Sequence, residues 1–161
     1  MKIKILPILM TLIAVASGPF AVSASGPSDG KPEDVEREVR KAFDVWAGAL
    51  TTGDKKTYLD GFWDSPKLVI RVANGEWHGL DAYRKRIEAA QLPPGNIADY
   101  KNIQVVALGS DGAVVTYERP APQAGPGDPV VIRGTVAFVR APSGWKIAAW
   151  HAHSITQKAD H

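Results

Sequence analysis

The chain has 161 residues, with 19 Lys or Arg and 17 Asp or Glu, so its formal net charge is +2. Hydrophobic residues make up 45% and charged residues 22%, which is typical of a folded domain and excludes a disordered or fibrous chain. The absence of cysteine excludes a disulfide scaffold, thiolate catalysis and a cysteine-ligated metal.

The first 24 residues have the pattern of a secretory signal peptide. Lys2 and Lys4 precede an uncharged apolar stretch, and small residues stand before a cut after Ala24. The alternative is a membrane anchor, but proline and glycine interrupt the stretch and it is shorter than the ~20 residues that a span requires. We therefore expect a periplasmic or secreted protein of 161 − 24 = 137 residues. Removal of the signal peptide takes away Lys2 and Lys4 and leaves 17 basic and 17 acidic residues in the mature chain. The net charge of the mature chain therefore indicates neither a nucleic-acid partner nor a membrane partner.

The N-terminal part of the mature chain predicts two helices after a flexible leader at residues 25–31. Pro32 suits the first turn of a helix, and apolar residues recur at helical spacing until Gly53. Asp54 can cap a second, shorter helix, which we expect to include Phe62 and Trp63.

The remainder predicts a hairpin, a third helix and four long strands. Residues 68–72 and 76–78 flank an Asn-Gly turn, and a helix from Leu80 ends before a Pro-Pro-Gly sequence. Four β-like segments follow at 97–108, 113–119, 130–140 and 144–155. We predict an α+β domain at residues 32–156, with helices on one face of a curved antiparallel sheet, and a tail at 157–161.

Five short motifs in this order resemble the nuclear-transport-factor-2-like superfamily. Within this superfamily the chain most resembles the SnoaL-like and ketosteroid-isomerase-like group. In that group it resembles small exported proteins of the DUF4440 type. The motifs are Trp46 to Asp54, Tyr58-Leu59, Phe62 to Asp64, Gly75 to Gly79, and Gly144 to Ser154. Together they span nearly all of the mature chain.

The resemblance implies a cystatin-like cone in which a curved antiparallel sheet wraps around a long N-terminal helix, with three helices in all. It further implies an apolar pocket for a small, mostly apolar ligand, and a homodimer formed through the outer sheet face at Lys146, Ala148 and Trp150. The resemblance leaves open whether the protein also catalyses an acid–base reaction of an isomerase, lyase or hydrolase type. The alternative is a non-catalytic dimeric binding or assembly module, because this fold carries many functions.

The catalytic residues of the ketosteroid isomerases are not kept. The family's first-helix tyrosine falls on Trp46, and its base falls on the strand that contains Arg71 and no carboxylate. Its third group falls on residues 132–135, which also contain no acid. Proton abstraction needs a base within reach of the substrate, so isomerase chemistry in its known form is not expected.

Strand alternation in the last segment places His151 and His153 on one face with Ile147, which the resemblance makes the pocket face. His151 is the candidate general base, since an imidazole titrates near neutral pH; the alternative is a structural histidine. The other candidate pocket residues are Trp46, Phe62, Trp63, Arg71, Trp77, His78, Tyr117 and His153.

Two histidines at spacing two on a strand can ligate zinc, but a third ligand is not evident in the sequence. We therefore predict no metal and no cofactor. The sequence also lacks a Gly-rich phosphate loop, a nucleophile elbow and a nucleic-acid-binding motif.

Overall fold

A computed structural model describes residues 30–73, 75–92, 95–121 and 130–156. The predicted signal peptide, most of the leader, the Asn-Gly turn residue 74 and the tail lie outside these ranges. The described elements are α1 (Pro32–Thr52), α2 (Lys55–Asp60), β1 (Val69–Val72), β2 (Gly75–His78), α3 (Leu80–Ala89), β3 (Lys101–Ala107), β4 (Gly112–Pro120), β5 (Val130–Ala141) and β6 (Gly144–Thr156). None of the described helices is long and apolar enough to cross a membrane.

Helix α1 begins and ends where the sequence predicts. Pro32 occupies its first turn, where no intrahelical N–H bond is lost. Gly53 ends the helix in the left-handed conformation at φ 76°, and its N–H donates to the carbonyl of Ala49. The apolar face of α1 is buried against the sheet through Val35, Val39, Phe43, Trp46 and Leu50.

Helix α2 is shorter than predicted. The Asp54 side chain accepts a hydrogen bond from the backbone N–H of Thr57 and caps it, but the helix ends at Asp60. Phe62 follows in an extended conformation and bridges Ile147 of β6 in parallel. Backbone hydrogen bonds from this segment to the sheet replace another helical turn, so Phe62 and Trp63 do not belong to the helix.

The sheet is mixed, not purely antiparallel. Its order is β2-β1-β6-β5-β4-β3, and every neighbouring pair is antiparallel except β1 and β6, which are parallel. The last four strands form the predicted antiparallel meander. The first of these segments begins with a 3-10 turn at Ile97–Asp99, so β3 starts only at Lys101.

Strand β6 contains a β-bulge that reverses which side chains face the core. Ala137 pairs with Ala149 while the next residue of β5 pairs with Ile147, which leaves Ala148 as the extra residue. Ile147 is therefore buried, but so are Trp150 and Ala152, while His151 and His153 are exposed. The predicted continuous alternation along this strand is wrong beyond Ala148.

Candidate functional site

One end of the cone contains a cavity of about 270 Å³. It lies between the end of α1, the helices α2 and α3, the β1–β2 hairpin and the ends of β4, β5 and β6. Seventeen residues of the described ranges line it, and none of these seventeen is Asp or Glu. Its principal apolar and aromatic lining residues are Leu50, Tyr58, Val72, Trp77, Tyr83, Ile87, Leu92, Ile132, Trp150 and Ala152.

Hydrogen bonds hold the aromatic wall in place. The Tyr58 and Tyr83 hydroxyl groups lie 2.7 Å apart and share a hydrogen bond. The Trp150 indole Nε1–H donates to the Tyr117 hydroxyl oxygen at 3.1 Å, which orients the indole at the cavity. Buried polar groups of this kind are costly unless they are paired, so these two bonds fix the side chains that they join.

Burial raises the pKa of the cavity tyrosines. Tyr83 has its pKa raised to about 12, chiefly by burial, although its hydrogen bond with Tyr58 and the charge of Arg86 act in the other direction. The pKa of Tyr58 is raised well above its usual value by burial. Both phenols are therefore protonated at neutral pH, and they act as neutral hydroxyl groups in the cavity wall.

Two arginines also line the cavity. Arg119 comes from the inner face of β4 and Arg86 from the last turn of α3. The Arg119 Nε is buried and has no hydrogen-bond partner among the described residues. Its guanidinium carbon lies 5.9 Å from the centre of the Tyr100 ring.

Of the predicted site residues, only Trp77 and His153 border this cavity. The predicted orientation of His151 is wrong, because the bulge turns it to the exposed face of the sheet. The His153 ring follows it there and stacks on the His151 ring with centroids 5.5 Å apart. The His151 imidazole is therefore not placed to act as a base on a ligand inside the cone, and the His153 imidazole is exposed at the border of the cavity.

Arg71 and His78 also lie on the exposed face. Both contact Glu76: Arg71 donates two hydrogen bonds at 2.8 and 2.9 Å, and the His78 Nε2 lies 2.8 Å from its carboxylate. These contacts, led by the one with Arg71, lower the pKa of Glu76 to about 2. The expectation that Arg71 and His78 face the pocket is wrong.

The remaining candidates lie away from the cavity. Trp46 and Tyr117 are fully buried in the core, where Trp46 stacks on Tyr58 and meets Trp150 edge-on. Phe62 and Trp63 border a separate hollow that also includes Lys146. Trp150 lies inside the cone and not on the outer face, so it is not available to the dimer surface inferred from the sequence. The homodimer itself stays a prediction.

No cluster of three His, Cys, Asp or Glu residues suited to a metal occurs within the described ranges. The site residues that the sequence reasoning missed include Tyr58, Tyr83, Arg86 and Arg119. The sequence does contain a pattern that places Arg119 at the cavity. Every second residue of β4 faces inward, at Ala113, Val115 and Tyr117, and Arg119 is the next residue at this spacing.

The family model of the SnoaL-like domain matches residues 39–156, which include the whole sheet and most of α1. The chain belongs to the SnoaL-like domain family. This result confirms the SnoaL-like resemblance inferred from the motifs, and solved structures that bear the names NTF2-like and ketosteroid isomerase-like share the fold. The DUF4440 type stays a prediction.

Solved structures share the fold of this SnoaL-like protein. A cystatin-like fold protein from Burkholderia xenovorans LB400 is 27% identical, with a TM-score of 0.67 over 78% of this chain and 95% of that one. An NTF2-like protein from Pseudomonas putida KT2440 is 18% identical, with a TM-score of 0.65 over 81% and 100% of the two chains. A ketosteroid isomerase-like protein from Erwinia carotovora atroseptica is 14% identical, with a TM-score of 0.61 over 76% and 97%. A comparison with curated proteins gave no match.

Proposed function

We propose that this SnoaL-like protein binds a small, mostly apolar molecule in the cavity at the open end of its cone. The observation that carries the proposal is the aromatic and aliphatic lining of a cavity of about 270 Å³. Ligand sites are concave and largely apolar, with a few polar groups that fix orientation, and their volumes begin at about 300 Å³, so this cavity suits a ligand at the small end of the range. Trp77 and Trp150 supply large contact areas at little cost in conformational entropy.

Binding is better supported than acid–base catalysis. Proton abstraction in an apolar pocket needs a carboxylate or imidazole within hydrogen-bond reach of the ligand. No acid in the part of the chain that the structure describes lines the cavity, and the His153 ring is exposed and stacked on His151. The tyrosine hydroxyl groups can donate hydrogen bonds to a ligand, but their raised pKa keeps them protonated near neutral pH, so no phenolate is present to abstract a proton.

The neutral fluorescent probe N-phenyl-1-naphthylamine tests the proposal. We expect the mature protein to bind it with increased emission on direct excitation of the probe. Ala90→Trp should weaken binding about tenfold or more, because Ala90 borders the cavity and an indole there occupies ligand space. Ala89→Trp is the matched control, since Ala89 is exposed and does not border the cavity. Absence of binding, or equal affinity of both variants, would contradict the proposal.

The proposal includes export of the protein before it binds its ligand. The signal-peptide pattern supports it, and N-terminal sequencing of the protein expressed in a Gram-negative host measures it. We expect a mature chain that begins at Ser25 and is recovered from the periplasm. A cytoplasmic protein that retains residues 1–24 would show this part of the proposal to be wrong.

A further inference from the structure

Arg119 places a positive charge at the apolar end of the cone. On β4, Ala113, Val115 and Tyr117 face the core, and Arg119 is the next residue in this phase. It pairs in register with Ile132 of β5, which also lines the cavity. The guanidinium is therefore directed by the strand into the cone, where burying a charge is costly unless it has a partner.

Arg84, one of the eight arginines in the described ranges, forms no ion pair with a carboxylate there and borders the separate hollow near Phe62. The other seven arginines divide into two groups. Five of them, Arg37, Arg40, Arg71, Arg133 and Arg140, form ion pairs with carboxylates. Within the described ranges, no such pair is formed by Arg119 or Arg86, and these are the two that line the cavity. Arg119 also has a buried Nε–H without an acceptor in those ranges. A buried donor of this kind costs free energy until an acceptor reaches it.

Arg86 brings a second guanidinium to the same cavity from the opposite side, since it belongs to α3 and Arg119 to the sheet. Among the described residues, none that lines the cavity offers a counter-charge. A guanidinium has a planar fork of donors that matches a carboxylate, and it is less strongly hydrated than an ammonium group. The cavity thus joins an apolar wall to two cationic side chains that form no ion pair within the described ranges.

We infer that the ligand is a small ring-bearing or aliphatic carboxylate. Its charged group binds Arg119, and Arg86 supplies the second cation. Its apolar body packs against Trp77 and Trp150. This inference rests on the proposed function and specifies its ligand class. The polar edge of the site at Gln91 and Ser154 suits the carboxylate end of such a molecule, and Ile87 and Ala152 suit its body.

Two probes of almost equal shape test the inference: 2-naphthoate, which is an anion, and 2-naphthamide, which is neutral. We expect calorimetric titration of the mature protein at low ionic strength to show naphthoate binding about tenfold more tightly than naphthamide. Arg119→Met should remove this preference by weakening naphthoate binding alone. Arg86→Met should reduce the preference, and because Arg86 is exposed this variant keeps the test valid if Arg119→Met does not fold.

Arg133→Met is the matched control. Arg133 lies on the neighbouring strand but is exposed and paired with Glu118, so both affinities should stay unchanged. Equal binding of the two probes, or an equal loss of both in Arg119→Met, overturns the carboxylate inference and leaves the cavity proposal standing. Binding of neither probe overturns the inference, and the proposed function is overturned with it when N-phenyl-1-naphthylamine also fails to bind.

Discussion

Replacing Gly134 with alanine is expected to destabilise the fold by about 3 kcal/mol. A Cβ atom at Gly134 would lie 2.2 Å from the Tyr117 Cζ and 2.4 Å from its hydroxyl oxygen. Gly134 does not have a positive φ, so the cost arises from this collision and not from backbone strain. The Tyr117 ring of β4 lies across Gly134 of β5 and leaves no space for a side chain there.

The Tyr117 ring has little freedom to move aside. Its hydroxyl accepts the hydrogen bond from Trp150, and its ring packs 5.5 Å from that of Phe43 and 5.1 Å from that of Tyr100. Chemical denaturation of Gly134→Ala measures the loss. The same substitution in a Tyr117→Leu background should cost under about 1 kcal/mol, because the collision is then absent. Equal costs in both backgrounds would show that Tyr117 is not the cause.

Gly48→Ala is a matched control for Gly134→Ala. Gly48 lies inside α1, and a Cβ there would meet nothing within 4 Å. Alanine in a helix interior is more favourable than glycine, so we expect Gly48→Ala to stabilise the protein by about 0.5–1 kcal/mol. The opposite signs of the two substitutions separate steric collision from glycine replacement in general.

The free energy of unfolding should fall steeply once the pH exceeds about 10. The chain has four tyrosines, all of them buried, and burial is the principal cause that raises the pKa of each. For Tyr83 the pKa reaches about 12. Nearby Arg86 and Arg119 only partly offset the effect of burial.

The sign follows from proton binding in the two states. Below pH 10 the phenols are neutral in both the folded and the unfolded chain, so their contribution is fully present. Between about pH 10 and pH 12 the unfolded chain releases protons that the folded chain retains, and stability is lost. Tyr83 alone accounts for about 3 kcal/mol, since one pKa unit corresponds to about 1.4 kcal/mol.

Ultraviolet absorbance of tyrosinate, recorded together with circular dichroism, measures this behaviour. We expect ionisation of the four phenols to coincide with loss of the folded structure. Tyr83→Phe should remove one of the four titrating groups and make the pH dependence less steep. Four tyrosines that titrate near pH 10 in a chain that stays folded would contradict the prediction.

The elements and the family followed from local sequence signals. Pro32 and Gly53 delimit α1 because one suits a helix start and the other a left-handed end. Turn residues separate the last four strands, and the order of the elements predicted an α+β domain, whereas the cone shape was implied by the family resemblance. Local backbone chemistry decides these features, so the sequence alone was sufficient.

Which side chains face the cavity depended on tertiary structure. One extra residue, Ala148, exchanges the faces of β6 and sends His151 outward while Trp150 packs against Trp46. A large indole gains more by burial than an imidazole, and this gain offsets the loss of one regular strand pair. A bulge has no local sequence signature here, so an argument from strict alternation selected the wrong face.

The sequence by itself thus determined the family and the element order. Tertiary structure decided the parallel pairing of β1 with β6, the bulge, and the meeting of α3 with the sheet at Tyr83, Arg86 and Arg119. The physical reason is the range of the interactions. Propensities, caps and turns act over a few residues, whereas a cavity is formed by side chains that are distant in sequence and are positioned only when the core is packed.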